Sequence, residues 1–308
     1  MSIISRNTVS GLAWAVVAIT IWSGSLVMLR LGVTTSLNVY DLTVLRFGVA
    51  AVILAPSALR RGSGASRVGL FGLLAMVLAF GAPYVMLIAL AMESAPASLA
   101  GTVNPGSMAI ASVLLGWIVF GDKIGVARFA GLIVTTIGIV MFTEAGGAIT
   151  TGHLILLGTG SMWACYALIV RHAAIPALKA TAIIAVGSAV LYLPVYFLAL
   201  PKQIFTAPLA DVLVQAGFQG VLVSVVAIFA FNRSAELLGA TAGATLPALI
   251  PAVTLGLSVF ILGETAGAGE ITSAVLVTLG LALILVGKSL LIWLSNHFLR
   301  PEIGRPHP

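Results

Sequence analysis

Charge is scarce in this sequence. Of 308 residues, 15 are Lys or Arg and nine are Asp or Glu, 8% in all, where ordinary soluble domains carry roughly 25%. With 60% of residues apolar and a mean hydropathy of +1.17, a water-soluble fold of this size is excluded. So few polar groups cannot cover the surface that any folded domain presents to solvent. By composition the chain lives in lipid.

Cysteine is nearly absent as well. Cys165 is the single one, which excludes an internal disulfide and any Cys-rich metal site. Lying in an apolar run, it reads as a small buried hydrophobe. Acidic residues avoid the long apolar runs. Asp41, Glu93, Asp122, Glu144, Asp211, Glu236, Glu264, Glu270 and Glu302 fall in connections or at run ends, and the four histidines fall at ends or in the tail. A proton-driven carrier normally keeps an ionisable relay within the membrane, so this absence points to facilitated diffusion or exchange. No nucleophile, base and metal-ligand set converges at one depth, which argues against an intramembrane enzyme, and nothing resembles a channel filter. No cofactor and no metal are expected. The net charge of +6 is spread singly among hydrophobic segments, which fits orientation in a membrane rather than nucleic-acid binding.

What is present is a succession of long apolar runs. A bilayer core takes about 20 residues as helix, and on that ruler the chain divides into ten spans near 11–30, 39–58, 68–92, 97–119, 125–143, 152–171, 179–199, 211–232, 240–262 and 271–293. The first follows Arg6 and runs too long for a signal-peptide core, with no small-x-small cleavage site after it, so it is expected to stay. With the N-terminus cytoplasmic, the inside segments hold Arg6, Arg60, Arg61, Arg67, Lys123, Arg128, Arg171, Lys179, Arg233, Lys288, Arg300 and Arg305. Outside stand only Arg30 and Lys202, with Arg46 just within span two. That bias supports an even number of spans and both ends inside.

The sequence also repeats itself. A shift of 141 maps Gly11 to Gly152, Trp22 to Trp163 and Arg30 to Arg171; a shift of 142 maps Gly121-Asp122 to Gly263-Glu264, Thr136 to Thr278 and Gly138 to Gly280; a shift of 143 maps Glu93 to Glu236. Two repeats follow, residues 1–148 and 149–308, of five spans each. Because five is odd, the second half enters the membrane inverted. Two similar halves of opposite insertion can exchange conformations and expose one midplane site to either side, the logic of secondary transporters. The expected fold is therefore an all-α integral membrane protein with ten transmembrane helices, arranged as two inverted five-helix repeats around a central cavity.

Several phrases carry a family resemblance. They are Trp22-Ser23-Gly24-Ser25 in span one, Leu45-Arg46-Phe47 in span two, Ala95-Pro96-Ala97 before span four, and the Gly121-Asp122 and Gly263-Glu264 pairs. In order and spacing they resemble the drug/metabolite transporter superfamily, in particular its ten-helix members with two EamA-type repeats. Within it the chain is most similar to the YddG-type exporters of aromatic amino acids. The resemblance implies a basket of ten helices with a central cavity, cytoplasmic termini, and export of metabolites, amino acids or drugs. Two departures stand out. Arg46 meets Ile184 in the second half, and span one has no acidic residue at its middle, unlike four-helix multidrug relatives.

Candidate substrate-binding residues are the polar and aromatic ones at mid-span depth. Trp22 and Ser25 share one face of span one, and Trp163 and Tyr166 repeat that spacing in span six. Tyr84, after Gly81-Ala82-Pro83, could present its hydroxyl. Asn104, with Ser107, offers a donor and an acceptor that suit an amino acid, or else an interhelical hydrogen bond. Pro83, Pro105, Pro247 and Pro251 are candidate hinges, since proline removes a backbone donor, and interruptions at matching positions of two halves point to a transporter's site. Asn232 reads as interfacial. Arg46 is expected to snorkel to the headgroups near Asp41. Gly121 and Gly263 fit helix C-caps, with Asp122 and Glu264 placed ahead of the next span's positive end as structural elements. Ala97 and Gly101, and Gly239 and Gly243, read as close helix packing. With no charge at the centre, a neutral or zwitterionic small molecule is expected rather than a phosphate ester, above all an aromatic or large aliphatic amino acid. A hydrophobic drug, a nucleobase or another metabolite stays open. The only other partner expected is the bilayer, with the carrier working as a monomer.

Overall fold

The computed structural model describes residues 6–60, 65–145, 149–239 and 246–298. Arg61, the Gly243 of the proposed close-packing pair, and the tail with Arg300, Glu302 and Arg305 lie outside the described residues. Among the described residues the structure is helical throughout. The first half comprises α1 (Arg6–Thr34), α2 (Val39–Leu59), α3 (Ala65–Phe80), α4 (Ala82–Ala91), α5 (Ala97–Phe120) and α6 (Val126–Ala145). The second comprises α7 (Thr151–Ala173), α8 (Ala177–Ala199), α9 (Leu209–Gln215), α10 (Ala227–Leu238), α11 (Ile250–Leu257) and α12 (Ala268–Phe298). A π-helical stretch, Ala216–Val226, joins α9 to α10. A 3-10 turn (Leu246–Leu249) leads into α11, and π-helical turns (Ser258–Leu262) follow it.

Nine crossings among the described residues are long and apolar enough to span a bilayer, and the shorter Leu246–Leu262 stands where the ninth span is expected. Their outer faces are apolar. Phe71, Leu198 and Phe260 are 86%, 87% and 89% exposed, positions that lipid tails cover in a membrane. Cys165 is exposed on such a face rather than buried. The third crossing bends where α3 gives way to α4. Pro83 sits in the first turn of α4, and the Ala82 N–H donates to Ser188 Oγ of α8 at 3.0 Å. A side chain thus satisfies the donor that the broken helix leaves.

Local chemistry fixes the other ends. Asn38 and Asp41 form a reciprocal capping box at the start of α2. Lys179 Nζ donates to the last carbonyls of α2, those of Ser57 and Ala58, and to that of its C-cap Arg60, at 2.8, 2.6 and 2.5 Å, a cation at the negative end of a helix. Gly121 and Gly263 end their helices with φ of +67°, a conformation that glycine adopts without steric penalty. The caps match bond for bond: Asp122 N to the Gly116 carbonyl, and Glu264 N to Ser258, 142 positions on.

The packing order reveals an internal two-fold. The first crossing packs on the eighth, and the sixth packs on the third. The second lies on the eighth as the seventh lies on the third, while second pairs with seventh, fourth with ninth and fifth with tenth. Exchanging the halves leaves this list unchanged. The halves also run in opposite senses. At the start of α1, the Gly11 carbonyl accepts from Ser234 at the end of α10, and Arg30 at its far end donates to the Met92 carbonyl. By contrast, Gly152 at the start of α7 lies against the Ala91 carbonyl. The α6–α12 pair lies on the two-fold axis and closes tightly, because a Cβ on Gly280 would stand 2.7 Å from Thr135 N and one on Gly138 would stand 3.0 Å from Val277 N. Gly138 and Gly280 are repeat counterparts, and small residues of this kind bring membrane helices into backbone contact.

Candidate functional site

A cavity of about 270 Å³ lies between the halves, with walls from both. Aromatic side chains form much of its wall. Phe80, at the end of α3, is central: its ring centroid lies 4.7 Å from Tyr84, 5.5 Å from Trp163 and 4.5 Å from Tyr166, the last pair stacked within 3°. Across the cavity Trp22 lies 5.2 Å from Phe231. The two-fold persists here, since a tryptophan of the first crossing meets the eighth and a tryptophan of the sixth meets the third.

Six of the seven residues expected to bind substrate stand in this wall: Trp22, Ser25, Tyr84, Asn104, Trp163 and Tyr166. Ser107 does not. Its Oγ is turned to the Asn104 carbonyl at 3.0 Å and the Leu156 carbonyl at 3.4 Å, in the α5–α7 contact. Tyr84 and Asn104 are already engaged. Tyr84 OH donates to Asn104 Oδ1 (3.0 Å), Asn104 Nδ2 to Thr159 Oγ1 (2.7 Å), and Thr159 Oγ1 to the Leu156 carbonyl (3.1 Å). This buried chain ties α4, α5 and α7 together and leaves Asn104 one amide hydrogen to spare. Asn232 is not in the wall.

Of the four expected hinge prolines, Pro105 and Pro247 face the cavity, while Pro83 opens α4 and Pro251 opens α11. α5 continues through Pro105 as a single helix, whereas the ninth crossing is broken around Pro247. Pro105 and Pro247 are repeat counterparts, 142 positions apart. They also line a second cavity of about 280 Å³, walled by Met108, Val113, Ile284 and Leu285 with Asp122, Lys123, Arg128 and Arg171. The two prolines stand between the two cavities.

Arg46 departs from the sequence expectation. It lines the central cavity and donates from Nη1 to Ser25 Oγ and to Gln219 Oε1, each at 3.3 Å. The reason is that Asp41 is not free to draw it outward. Asp41 accepts from Tyr196 OH (2.6 Å), Gln203 N (3.0 Å) and Asn38 N (3.2 Å). Gln219, fully buried, is itself fixed against Ser25, accepting from Ser25 Oγ (3.0 Å) and donating to the Ser25 carbonyl (2.9 Å), so the two acceptors of the Nη1 group hold each other. Gln219 lies in the π-helical stretch of the eighth crossing, a form that recurs at functional sites. The cavity wall therefore carries a charge, which overturns the expectation of a site without fixed ions. Sequence reading missed Arg46, Gln219 and Phe80. The signal available for Gln219 was its recurrence four residues after Gln215 in an otherwise apolar run.

Asp122 and Glu264 act differently from helix-dipole partners of the next span. Arg171 grips Asp122 with Nη1 to Oδ2 at 2.8 Å and Nη2 to Oδ1 at 3.3 Å. Glu264 accepts from Ala97 N (2.9 Å) and Ser98 N (3.4 Å), capping α5 rather than α12, and lies 3.9 Å from Arg30 Nε. The Arg30 end of the molecule carries further ties between crossings: Ser36 to Asp211 (2.6 Å), Asn38 to the Pro201 carbonyl (3.2 Å) and Gln215 to the Met28 carbonyl (2.6 Å). The cavity extends the other way, to Ala177 and Thr181 in the first turns of α8.

The sequence matches the model of the EamA-like transporter family twice, over residues 9–143 and 150–286. No curated protein matches it. One solved crystal structure, described only as that of a protein, superposes with a TM-score of 0.62 at 20% identity, covering 92% of this chain and 98% of that one. That likeness concerns the fold.

Proposed function

Because the chain belongs to the EamA-like transporter family, we propose that it carries small carboxylate-bearing metabolites, above all aromatic and large aliphatic amino acids, out of a bacterial cell by alternating access. The observation that carries this reading is the central cavity, which two inverted halves wall jointly with Trp22, Phe80, Tyr84, Trp163 and Tyr166 around Arg46. Aromatic walls suit the body of such a molecule, and the guanidinium suits its carboxylate.

Alternation is supported by the repeat counterparts at the two ends. Arg30 with Glu264 and Arg171 with Asp122 are one interaction written twice, once at each end, and each joins one half to the other. In this reading they are the clasps of two gates, and Pro105 and Pro247 are the pivots between the cavities. Both clasps are engaged here, so we read the conformation as closed at both gates, with the denser ties at the Arg30 end; the distribution of Lys and Arg supports a cytoplasmic Arg171 end. We place both termini on that side.

Transport runs as uniport or exchange, down the substrate's own gradient. No Asp, Glu or His is among the described residues of the central wall, and a proton relay needs such a group. The test is counterflow in proteoliposomes. Labelled phenylalanine accumulates against unlabelled phenylalanine loaded inside, and an imposed proton gradient alone produces no accumulation. Uptake driven by the proton gradient alone would remove the facilitative reading; absence of counterflow for every amino acid tried would remove the substrate.

A further inference from the structure

Arg46 is a cation set into a mostly apolar cavity with no fixed anion to match it. The described residues of the wall include no Asp or Glu. The ion pairs among the described residues, Arg30–Glu264, Arg171–Asp122 and Arg233–Glu236, all lie elsewhere. Both hydrogen bonds of the guanidinium leave from one nitrogen, Nη1, and both are long, at 3.3 Å. A guanidinium presents five donors in a planar fork that matches a carboxylate in a two-point contact. Most of that fork is uncommitted, and it shares the cavity wall with Trp22, Tyr84 and Trp163. An ionised side chain at membrane depth is unfavourable without a partner and marks a functional site.

The charge is also single and one-sided. At the matching level of the second half Ile184 lines the wall, and no Lys and no second Arg is among its described residues. One positive charge matches one negative charge. A phosphate ester, with a second charge at neutral pH, would find no further cation there. An amine without a carboxylate would offer its ammonium only neutral oxygen atoms such as those of Ser25, Thr181 and Ser224, and its uncompensated charge would be repelled by Arg46.

We infer that Arg46 is the receptor for the substrate's carboxylate, and that this group, not the amine, decides which molecules occupy the cavity. The substrate class is then monocarboxylates with an aromatic or large aliphatic body, in which α-amino acids and their deaminated analogues are accepted alike and decarboxylated amines are refused. Ser25 and Gln219 act as positioning residues that hold the guanidinium at the wall. This inference rests on the carrier reading of the central cavity, and the test below separates the two.

The test compares phenylalanine, 3-phenylpropanoate and phenethylamine on the full-length protein, by calorimetric binding in detergent and by counterflow in proteoliposomes. Phenylalanine and 3-phenylpropanoate are expected to bind within about threefold of each other, and phenethylamine at least about tenfold more weakly, as one charge-assisted bidentate contact gives. Arg46→Gln is expected to erase the gap between 3-phenylpropanoate and phenethylamine. Phenethylamine binding as tightly as 3-phenylpropanoate, phenylalanine binding while 3-phenylpropanoate does not, or none of the three binding overturns the inference. So does an unchanged preference in a folded Arg46→Gln protein. The ligand series needs only the wild-type chain, so it decides the matter even where the variant does not fold. Binding in the expected order without counterflow removes the carrier reading and leaves Arg46 as the receptor; counterflow of phenethylamine leaves the carrier and removes the receptor.

Discussion

Arg171 reaches from the sixth crossing to Asp122, beyond the fourth, in a bidentate contact with Nη1 to Oδ2 at 2.8 Å. Its counterpart in the other half, Arg30, stands 3.9 Å from Glu264, the counterpart of Asp122. The recurrence in sequence thus becomes a recurrence in space: each arginine meets the acid of the opposite half, at opposite ends of the molecule. The partners differ in surroundings. The Arg171 side chain is 61% exposed and that of Arg30 only 24%, so the Arg171 clasp is the wetter and the easier to open.

The wetter clasp has a definite pH signature. The hydrogen bond from Arg171 holds the Asp122 carboxyl below its ordinary value of 3.8. A carboxyl depressed in the folded state adds stability that is complete above the unfolded value and is lost as pH falls through the lower folded one. Melting curves of wild type and Asp122→Asn are therefore expected to differ by a constant interval above about pH 5 and to converge below about pH 4. A gap that widens on acidification would contradict the assignment.

Gly280→Ala is expected to destabilise the protein by about 1–3 kcal/mol through overpacking. The added Cβ would stand 2.7 Å from Thr135 N and 3.0 Å from the Gly131 carbonyl. Those are backbone atoms of a packed helix, so α6 and α12 must part. Thermal unfolding in detergent measures this; an unchanged midpoint would show that the pair is looser than its geometry.

Trp163→Ala removes one aromatic wall beside Phe80. An aromatic contact contributes about 0.5–1.5 kcal/mol beyond its area, so affinity for phenylalanine is expected to fall about 2- to 10-fold, with leucine less affected. Competition binding checks this. Equal losses for both ligands would place the phenylalanine ring elsewhere.

With Arg46 as the carboxylate receptor, uniport of 3-phenylpropanoate moves one negative charge while phenylalanine moves none. The membrane potential contributes about 2.3 kcal/mol per charge per 100 mV, about 50-fold in distribution, and an interior-negative potential pushes the anion outward. Valinomycin-clamped proteoliposomes are expected to show this dependence for 3-phenylpropanoate alone. Potential-driven movement of phenylalanine would instead indicate a coupled ion.

The membrane class, the succession of crossings and the inverted halves were legible because they rest on length, hydropathy and an odd span count per repeat. Trp22 and Trp163 were legible because the repeat marks them. Arg46 was not. Its depth in the sequence, about a turn inside span two, suits snorkelling as well as burial. Only the three-dimensional commitment of Asp41 to Tyr196, Gln203 and Asn38 decides between them. Phe80 looked like any apolar residue of span three until the break before α4 placed it among three aromatic rings. The π-helical stretch that presents Gln219 packs on the first and second crossings and has no sequence signature. Glu264 was read against its own next helix, yet it caps α5, a choice that depends on which helix ends meet in space.

In the proposed transport cycle the two ends of the molecule open in turn. In a Cys165→Ala background, one pair of cysteines at positions 30 and 264, and separately one at 122 and 171, can be joined by a short bifunctional thiol reagent and released by reductant. Counterflow of labelled phenylalanine is expected to stop with either clasp joined and to return on reduction. Transport that continues with one clasp fully joined would contradict it.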